Sequence, residues 1–183
     1  MIRADGVLIR AFEDGDLPAL LAFRQDYDAS HLAYATVLPE SLDDMRDFVR
    51  AVRASRTDMM WTIADEEGKP IGIYNLYSID WVNNTLYTAS SIYSPGMRGR
   101  GIGTTARRLV LDCVFNRMGI ERCYGEYLTF NDASRRAHEK VGAEVAGVRK
   151  RAYVYEGRLV DVVVYQVRRE RFNALHGPGG DHA

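Results

Sequence analysis

Two hydrophobic periodicities alternate along the chain and predict a mixed α/β fold. Apolar residues at every second position mark half-buried strands, and apolar residues three or four positions apart mark helices. Strands are predicted at 7–12, 59–64, 71–79, 86–93, 122–130, 145–155 and 159–167. Helices are predicted at 16–27, 41–55, 104–118 and 132–141. This order predicts one domain in which about four helices flank a single sheet of roughly six to seven strands.

The domain is predicted to span 1–175, because 183 residues with 46% hydrophobic and 27% charged side chains suffice for one sizeable core. The remaining residues, 176–183, predict a disordered tail. No apolar run reaches the ~20 residues of a membrane span. Asp5 and Arg10 break up the N-terminal apolar residues, so this segment does not resemble a signal peptide. The two cysteines form no C-x-x-C pair. We therefore expect a cytoplasmic protein with reduced cysteines, no metal and no membrane partner.

The net charge of −1 is unevenly divided along the chain. Residues 1–80 carry 8 basic and 15 acidic side chains, whereas residues 81–183 carry 16 basic and 10 acidic ones. An acidic half beside a basic half suits a protein that binds a polyanionic ligand and a cationic second substrate. The near-neutral total, without a platform of interleaved aromatic and basic residues, argues against nucleic-acid binding.

A glycine-rich segment between a predicted strand and a predicted helix is the strongest functional signal. Gly99, Gly101 and Gly103 occupy alternate positions, where they let the backbone turn sharply and approach a ligand. The start of the following helix offers unpaired N–H groups and a partial positive charge. Arg98 and Arg100 add cationic donors. These features predict a phosphate cradle, although a glycine-rich turn with two solvated arginines would show the same letters.

The segment departs from two common phosphate-binding patterns. A dinucleotide G-x-G-x-x-G would need a third glycine where Thr104 stands, and the G-x-x-x-x-G-K-[ST] of a P-loop is absent. The spacing Arg98-x-x-Gly101-x-Gly103 instead resembles the R/Q-x-x-G-x-G/A motif of the GNAT acyltransferases. The order of predicted elements is also similar to the GNAT fold. The resemblance implies a mixed, mostly antiparallel sheet that is splayed open in its middle.

The same resemblance implies that acetyl-CoA is the cosubstrate. Its pyrophosphate would bind one continuous segment, which comprises Arg98, Gly99, Arg100, Gly101, Ile102, Gly103 and Thr104. The resemblance also implies a bulge near Ile92 and Tyr93, at the end of the preceding strand. The freed backbone groups of that bulge would pair with the pantetheine arm.

A second stretch, from Asn131 to Gly142, resembles the N-x-x-[SA]-x-x-x-Y-E-K-x-G pattern of the same family. In that family the asparagine contacts pantetheine and the tyrosine often protonates the leaving thiolate. Here His138 stands at the tyrosine position. Asn131, Ser134 and His138 are spaced i, i+3 and i+7, so one face of a helix would present all three. Histidine can act as an acid near neutral pH, but the letters also fit a surface histidine on a charged helix.

Attack on a thioester needs a neutral amine, and a carboxylate can take the proton of the amine. The common family base, a glutamate on the strand before the splay, is missing from the matching stretch 87–90. Ribosomal-protein N-terminal acetyltransferases carry a base five residues before the motif asparagine, and that position here is Glu126. Glu126 alternates with Leu128 on one face of the predicted strand. An exposed strand glutamate, or loss of the proton to bulk water, are the alternatives.

These resemblances predict an acetyl-CoA-dependent N-acetyltransferase that acts on a primary amine of a small molecule, such as an amino sugar, polyamine, amino acid or antibiotic. The predicted hairpin 155–161, with Tyr165 beyond it, is similar to that of the ribosomal-protein and polyamine acetyltransferase branch. Two alternatives stay open, protein N-terminal acetylation and non-catalytic acyl-CoA binding. The second is favoured by the missing strand glutamate and by His138. A homodimer is compatible with the sequence. The sequence does not identify the acceptor amine.

Overall fold

The chain forms eight strands and five α-helices within residues 1–26, 30, 38–93, 95–97 and 99–177, which this computed structural model describes. The strands are β1 (Ile2–Ala4), β2 (Val7–Ala11), β3 (Met59–Ala64), β4 (Pro70–Asp80), β5 (Thr85–Ile92), β6 (Arg122–Leu128), β7 (Glu144–Tyr155) and β8 (Arg158–Arg168). The helices are α1 (Leu17–Gln25), α2 (Leu42–Ala54), α3 (Ile102–Asn116), α4 (Asp132–Glu139) and α5 (Arg169–His176). Within these ranges, none of the helices has the length and apolar character that crossing a bilayer requires.

All eight strands form one sheet in the order β1-β2-β3-β4-β5-β6-β8-β7. Every neighbouring pair is antiparallel except β5 and β6, which are parallel. The predicted mixed, mostly antiparallel sheet is therefore confirmed. The sheet exceeds the predicted six to seven strands because Ile2–Ala4 folds back on β2 through a turn at Asp5 and Gly6. A three-residue strand is too short for its periodicity to stand out.

The sheet opens between β5 and β6. Three residue pairs join these strands, namely Thr85 with Arg122, Leu86 with Cys123 and Tyr87 with Tyr124. Beyond them β5 stays paired with β4, and β6 stays paired with β8, so the two halves of the sheet diverge. The predicted splay therefore lies at the single parallel junction, and it leaves an opening through the middle of the sheet.

Helices cover both faces of the sheet. On one face α1 and α2 enclose a core that includes Leu20 and Met45. On the other face α3 and α5 cover a larger core around Phe115, which contains residues from both halves of the sheet, such as Ile71 and Val167. Each buried apolar side chain contributes roughly 1.5–3 kcal/mol. The larger core therefore holds the diverging halves in a fixed relation.

The bulge expected near Ile92 and Tyr93 is absent from the described strands. The pairing of β4 with β5 runs without a shift from Tyr77 to Gly72, which lies opposite Ile92. The N–H of Tyr93 donates to the Ile71 carbonyl at 2.9 Å, so it is already used. That expectation was wrong because divergence of β5 from β6 makes the opening without an extra residue in β5.

The C-terminal boundary also differs from the expectation. His176, predicted as the first residue of a tail, is the last residue of α5. The sequence does not predict this helix because Phe172 is its single buried residue and gives no apolar periodicity. Residues 178–183 of the predicted tail, and Arg98 of the predicted cradle, lie outside the described residues.

Candidate active site

A cavity of about 100 Å³ lies where β5 and β6 diverge. Residues 88–90 of β5 line one side, and Glu126 of β6 lines the other. Ser134 and His138 of α4 also line the cavity, as does Asn131, which precedes α4. Four of the predicted site residues therefore meet at the opening. The divergence of the strands brings them together, because it leaves the inner edge of each strand facing the cavity.

The glycine segment forms an open turn at the start of α3. Gly99 and Gly101 have φ values of 77° and 84°, which favour glycine. The Gly101 carbonyl accepts the Thr104 amide at 2.9 Å, and the amides of Ile102 and Gly103 belong to the first turn, which provides them no acceptor. A Cβ added at Gly99 or Gly101 would meet no atom of the described residues within 4 Å. The turn therefore leaves room for a phosphate against the helix start.

The side chains of Ile92 and Tyr93 pack against neighbouring elements of the fold. A Cβ added at Gly103 would lie 3.9 Å from Ile92 Cγ1, so this side chain packs towards the glycine turn. The Tyr93 ring stacks on Phe23 of α1, with ring centroids 5.2 Å apart. In the described structure the residues that line the cavity at the opening include neither of them. Their predicted part in cofactor binding therefore stays a prediction.

Asn131 caps α4. Its Oδ1 accepts the Ser134 N–H at 3.0 Å, which satisfies one donor of the first helical turn. This bond fixes the orientation of the amide and leaves the Nδ2 donors facing away from the cap. Contact with pantetheine, the role that the resemblance implies for Asn131, would therefore fall to Nδ2.

His138 is buried, with 4% of its surface exposed, so the alternative of a surface histidine is excluded. Its Nδ1 lies 2.6 Å from the Ser134 carbonyl oxygen, which can only accept a hydrogen bond. Nδ1 therefore carries the proton, and Nε2 presents a lone pair. Burial, and secondly the Arg107 guanidinium, hold the pKa of His138 well below its ordinary value. The side chain is neutral at neutral pH, and the expected role of proton donor does not fit this geometry.

We expect His138 to make the folded protein less stable as the pH falls below about 6.5. Unfolding restores the ordinary histidine pKa, so the unfolded chain binds a proton that the folded chain does not. The free energy of unfolding should fall by up to about 1.4 kcal/mol per pH unit in this window. Urea unfolding at pH 7.5 and 5.5 measures the fall, which His138→Gln should reduce. His176→Gln is the control, because His176 is only partly buried, whereas His138 is buried. Equal losses in the wild-type and His138→Gln proteins would contradict the assignment.

Glu126 is held by an ion pair at the edge of the cavity. Its Oε1 accepts Arg149 Nη1 at 2.6 Å, and 19% of its side chain is exposed. Arg149 comes from β7 and is more than half exposed. The carboxylate is therefore neither a freely solvated surface group nor a sealed one. It can reach a proton in the cavity directly or through one water molecule.

Arg107 is a site residue that the motif comparison misses. It is 7% exposed and lines the cavity, where Nη2 donates to Ser90 Oγ at 3.0 Å and Nη1 to the Gly103 carbonyl at 3.4 Å. Among the described residues its Nε has no partner, and no carboxylate forms an ion pair with it. Its spacing of three and seven from the buried Val110 and Val114 signals an inward side chain.

Tyr165 is the second residue missed, and it lies opposite Gly125 in the pairing of β8 with β6. Any Cβ at Gly125 would collide with the Tyr165 hydroxyl, so the missing side chain makes room for the phenol. The phenol lines the cavity and packs against His138, with ring centroids 4.0 Å apart. A lone glycine inside a predicted strand is the signal that a neighbouring group approaches closely.

A second cavity, of about 260 Å³, lies beneath α1 and α2. It shares Tyr77 and Ala89 with the cavity at the opening, so the two spaces approach each other across the sheet. Its apolar lining comprises Leu20, Phe23, Met45, Phe48 and Ile73. Arg24 also lines it, and Glu40 neutralises this arginine through bonds of 2.7 and 2.8 Å. The arrangement offers one space at the opening in the sheet and a separate, largely apolar space for a second ligand.

Comparisons with known proteins agree with this geometry. The family described as acetyltransferase (GNAT) domain matches residues 7–144. The SPbeta prophage-derived uncharacterized N-acetyltransferase YokL of Bacillus subtilis (strain 168) is 23% identical over 139 residues, which cover 76% of this chain and 77% of that protein. The family predicted from the two sequence motifs is confirmed.

Solved structures show the same fold. The spermidine N-acetyltransferase of Vibrio cholerae, in complex with CoA and spermine, superposes with a TM-score of 0.85 at 18% identity over 91% of this chain and 98% of that one. RimJ of Mycobacterium smegmatis, in complex with CoA-disulfide, gives a TM-score of 0.79 at 18% identity over 90% of this chain and 82% of that one. At these identities the likeness establishes the fold.

Proposed function

The chain is an acetyl-CoA-dependent N-acetyltransferase of the GNAT family, and we propose that it acetylates a primary amine of a small molecule by direct transfer. The observation that carries the proposal is the pair of cavities that share Tyr77 and Ala89 as lining residues at the splay. One lies at the opening, where its lining residue Arg107 donates to the Gly103 carbonyl, and the other lies under the N-terminal helices. Two substrates bound there would bring a thioester and an amine together at the opening in the sheet.

The glycine turn is the proposed site for the pyrophosphate of acetyl-CoA. The amides of Ile102 and Gly103, for which the first helical turn provides no acceptor, and the space at Gly99 and Gly101 that no described residue fills support this assignment. Asn131 lines the cavity at the opening, and its Nδ2 group is proposed to donate to pantetheine. Acetyl-CoA supplies the activated acetyl group, and the protein supplies the position and the proton transfers.

The acceptor is proposed to be an amine with a compact apolar body. Aromatic and aliphatic side chains dominate the described lining of the second cavity, and Glu40 already compensates the charge of Arg24. A polyamine would need several carboxylates to replace its hydration, and the described lining offers none. Tyr77, shared by both cavities, would contact the amine through the face of its ring.

Glu126 is the proposed base that removes the proton of the amine, and the acetyl group would pass without a covalent enzyme intermediate. Among the described residues Cys113 and Cys123 are the two cysteines, and neither lines the cavity at the opening. Burial raises the pKa of both thiols, which disfavours the thiolate that an acyl carrier needs. Direct attack within a ternary complex is therefore the route that the cavities support.

A screen of amines tests the proposal. Release of the CoA thiol would be measured with arylalkylamines, amino acids, amino sugars, spermidine and a short peptide with a free N-terminus. We expect the highest kcat/KM with the arylalkylamines. Preference for the peptide would instead support protein N-terminal acetylation. Tight binding of acetyl-CoA without turnover of any amine would support a non-catalytic acyl-CoA-binding role.

A further inference from the structure

The Tyr165 hydroxyl lies where the opening in the sheet begins. Its oxygen is 3.4 Å from Oγ1 of Thr88, which is the first residue of β5 beyond the last pair with β6. The Thr88 hydroxyl also lies 3.4 Å from the Tyr124 carbonyl, so it bridges the two diverging strands. Two hydroxyl groups therefore mark the narrow end of the cavity, where a group inserted between the strands would come to rest.

The groups packed around Tyr165 favour a phenol that is protonated before the reaction and can release its proton during the reaction. Burial raises the pKa of Tyr165, and the Arg107 guanidinium opposes that rise. From α4 the neutral His138 ring packs against the phenol at a tilt of 44°, and from β6 the centroid of the Tyr127 ring lies 6.1 Å away. The hydroxyl is thus protonated at neutral pH, while the nearby cation stabilises the negative charge left when a proton departs.

His138 cannot take this part in the tautomer that its bond to the Ser134 carbonyl selects. Its single ring proton is bonded to the Ser134 carbonyl, and its other nitrogen offers a lone pair. Tyr77 also lines the cavity, but its ring stacks on Tyr87 on the side of the second cavity, where the amine is proposed to bind. Tyr165 is therefore a proton-bearing phenol on the same side of the sheet as Arg107 and α4, and its hydroxyl bonds the first residue of β5 beyond the last pair with β6.

We propose that Tyr165 is a catalytic residue that gives its proton to the sulfur of the departing CoA. This inference rests on the proposed function. The amine nitrogen bonds to the carbonyl carbon of the thioester, the carbon–sulfur bond breaks, and its electron pair remains on sulfur. The Tyr165 O–H transfers its proton to that sulfur. Water then returns a proton to the phenolate, and Glu126 has accepted the proton released by the amine.

The Tyr165→Phe protein tests the catalytic step, because phenylalanine keeps the ring and its packing over Gly125. With the best amine from the screen, kcat should fall by about 10² or more, the lower end for a positioned acid. The KM for acetyl-CoA should stay within about twofold of the wild-type value, because the thioester sulfur is uncharged before the reaction and gains little from a hydrogen bond to Tyr165. Tyr124→Phe is the matched control, because this phenol of β6 bonds Arg122 and is not among the residues that line the cavity, and it should leave kcat within about twofold.

Binding gives a second readout that does not need an acceptor. At pH 9 part of the CoA thiol is ionised, and Tyr165 would donate a hydrogen bond to that thiolate in the bound state. By calorimetry, Tyr165→Phe should weaken CoA by about tenfold and acetyl-CoA by less than twofold. Unchanged CoA affinity, or equal weakening of both ligands, would overturn the assignment. Were the wild-type protein to acetylate no amine, the proposed function would fail while this comparison still decided whether Tyr165 meets the sulfur.

A double-mutant cycle with Thr88 distinguishes proton transfer from packing. Thr88→Val keeps the shape of the side chain and removes the hydroxyl that orients the phenol. It should lower kcat several-fold in the wild-type background, and it should have no further effect in the Tyr165→Phe background. Additive losses in the double variant would show that the two residues act separately, which contradicts the proposed role of Tyr165.

Discussion

The Gly101→Val protein is expected to lose its affinity for acetyl-CoA while it keeps its fold. Gly101 stands at φ 84° at the N-terminal cap of α3, and a side chain there would project into space that no described residue fills. In the proposed complex that space holds phosphate bonded to the first helical amides. Displacing two such bonds, each about 1.5–3 kcal/mol when the acceptor is charged, should weaken binding by at least about 100-fold.

Backbone strain is the competing explanation, and Gly119 provides the matched control. It follows the other end of α3 at φ 75°, and a Cβ there would also meet no described atom within 4 Å. Valine at either position costs about 1–3 kcal/mol of strain, so both variants should unfold at similarly lowered temperatures. Calorimetric titration with acetyl-CoA should distinguish them, because Gly119→Val should bind normally. Wild-type affinity in Gly101→Val would remove the turn from the cofactor site.

Much of the fold could be predicted because its elements are local. The prediction of a strand at 59–64 coincides with Met59–Ala64, since β3 is paired on both sides and its apolar pattern is complete. The glycine turn could be predicted for the same reason, because a positive φ is a property of one residue and its neighbours. The two missed elements give too little local signal: β1 has only three residues, and α5 buries only Phe172.

The roles of the site residues could not be predicted to the same depth. The chemistry of His138 depends on burial beneath Tyr165, which comes from β8, and on a bond to the Ser134 carbonyl. The position of the Tyr165 hydroxyl depends on strand register, which places Gly125 opposite it. A motif records residue types along the chain. It does not record which tautomer or which neighbouring phenol the folded chain will select.

Replacement of Glu126 by glutamine should have the largest effect on turnover. The change keeps the size of the side chain and a hydrogen bond to Arg149, but it removes the group that accepts a proton. At neutral pH we expect kcat to fall by about 10²–10⁴, the range for a positioned base, with acetyl-CoA still bound. An alkyl amine has a pKa of about 10, so its neutral fraction rises about 100-fold between pH 7 and 9. The deficit of Glu126→Gln should therefore shrink over that interval.

Two further variants decide whether Glu126 acts as a base or as the anchor of Arg149. Arg149→Gln breaks the same ion pair but leaves the carboxylate at the cavity, so it should retain most of the turnover. Glu144→Gln removes a carboxylate that is paired with Arg168 and Arg171, outside the residues that line the cavity, and should behave like the wild-type protein. Rates measured from pH 6.5 to 9.5 separate the cases. If the kcat of Arg149→Gln is as low as that of Glu126→Gln, the ion pair itself is required to hold the site in shape, and water takes the proton of the amine. If Glu126→Gln alone is slow and recovers with pH, the amine loses its proton to this carboxylate.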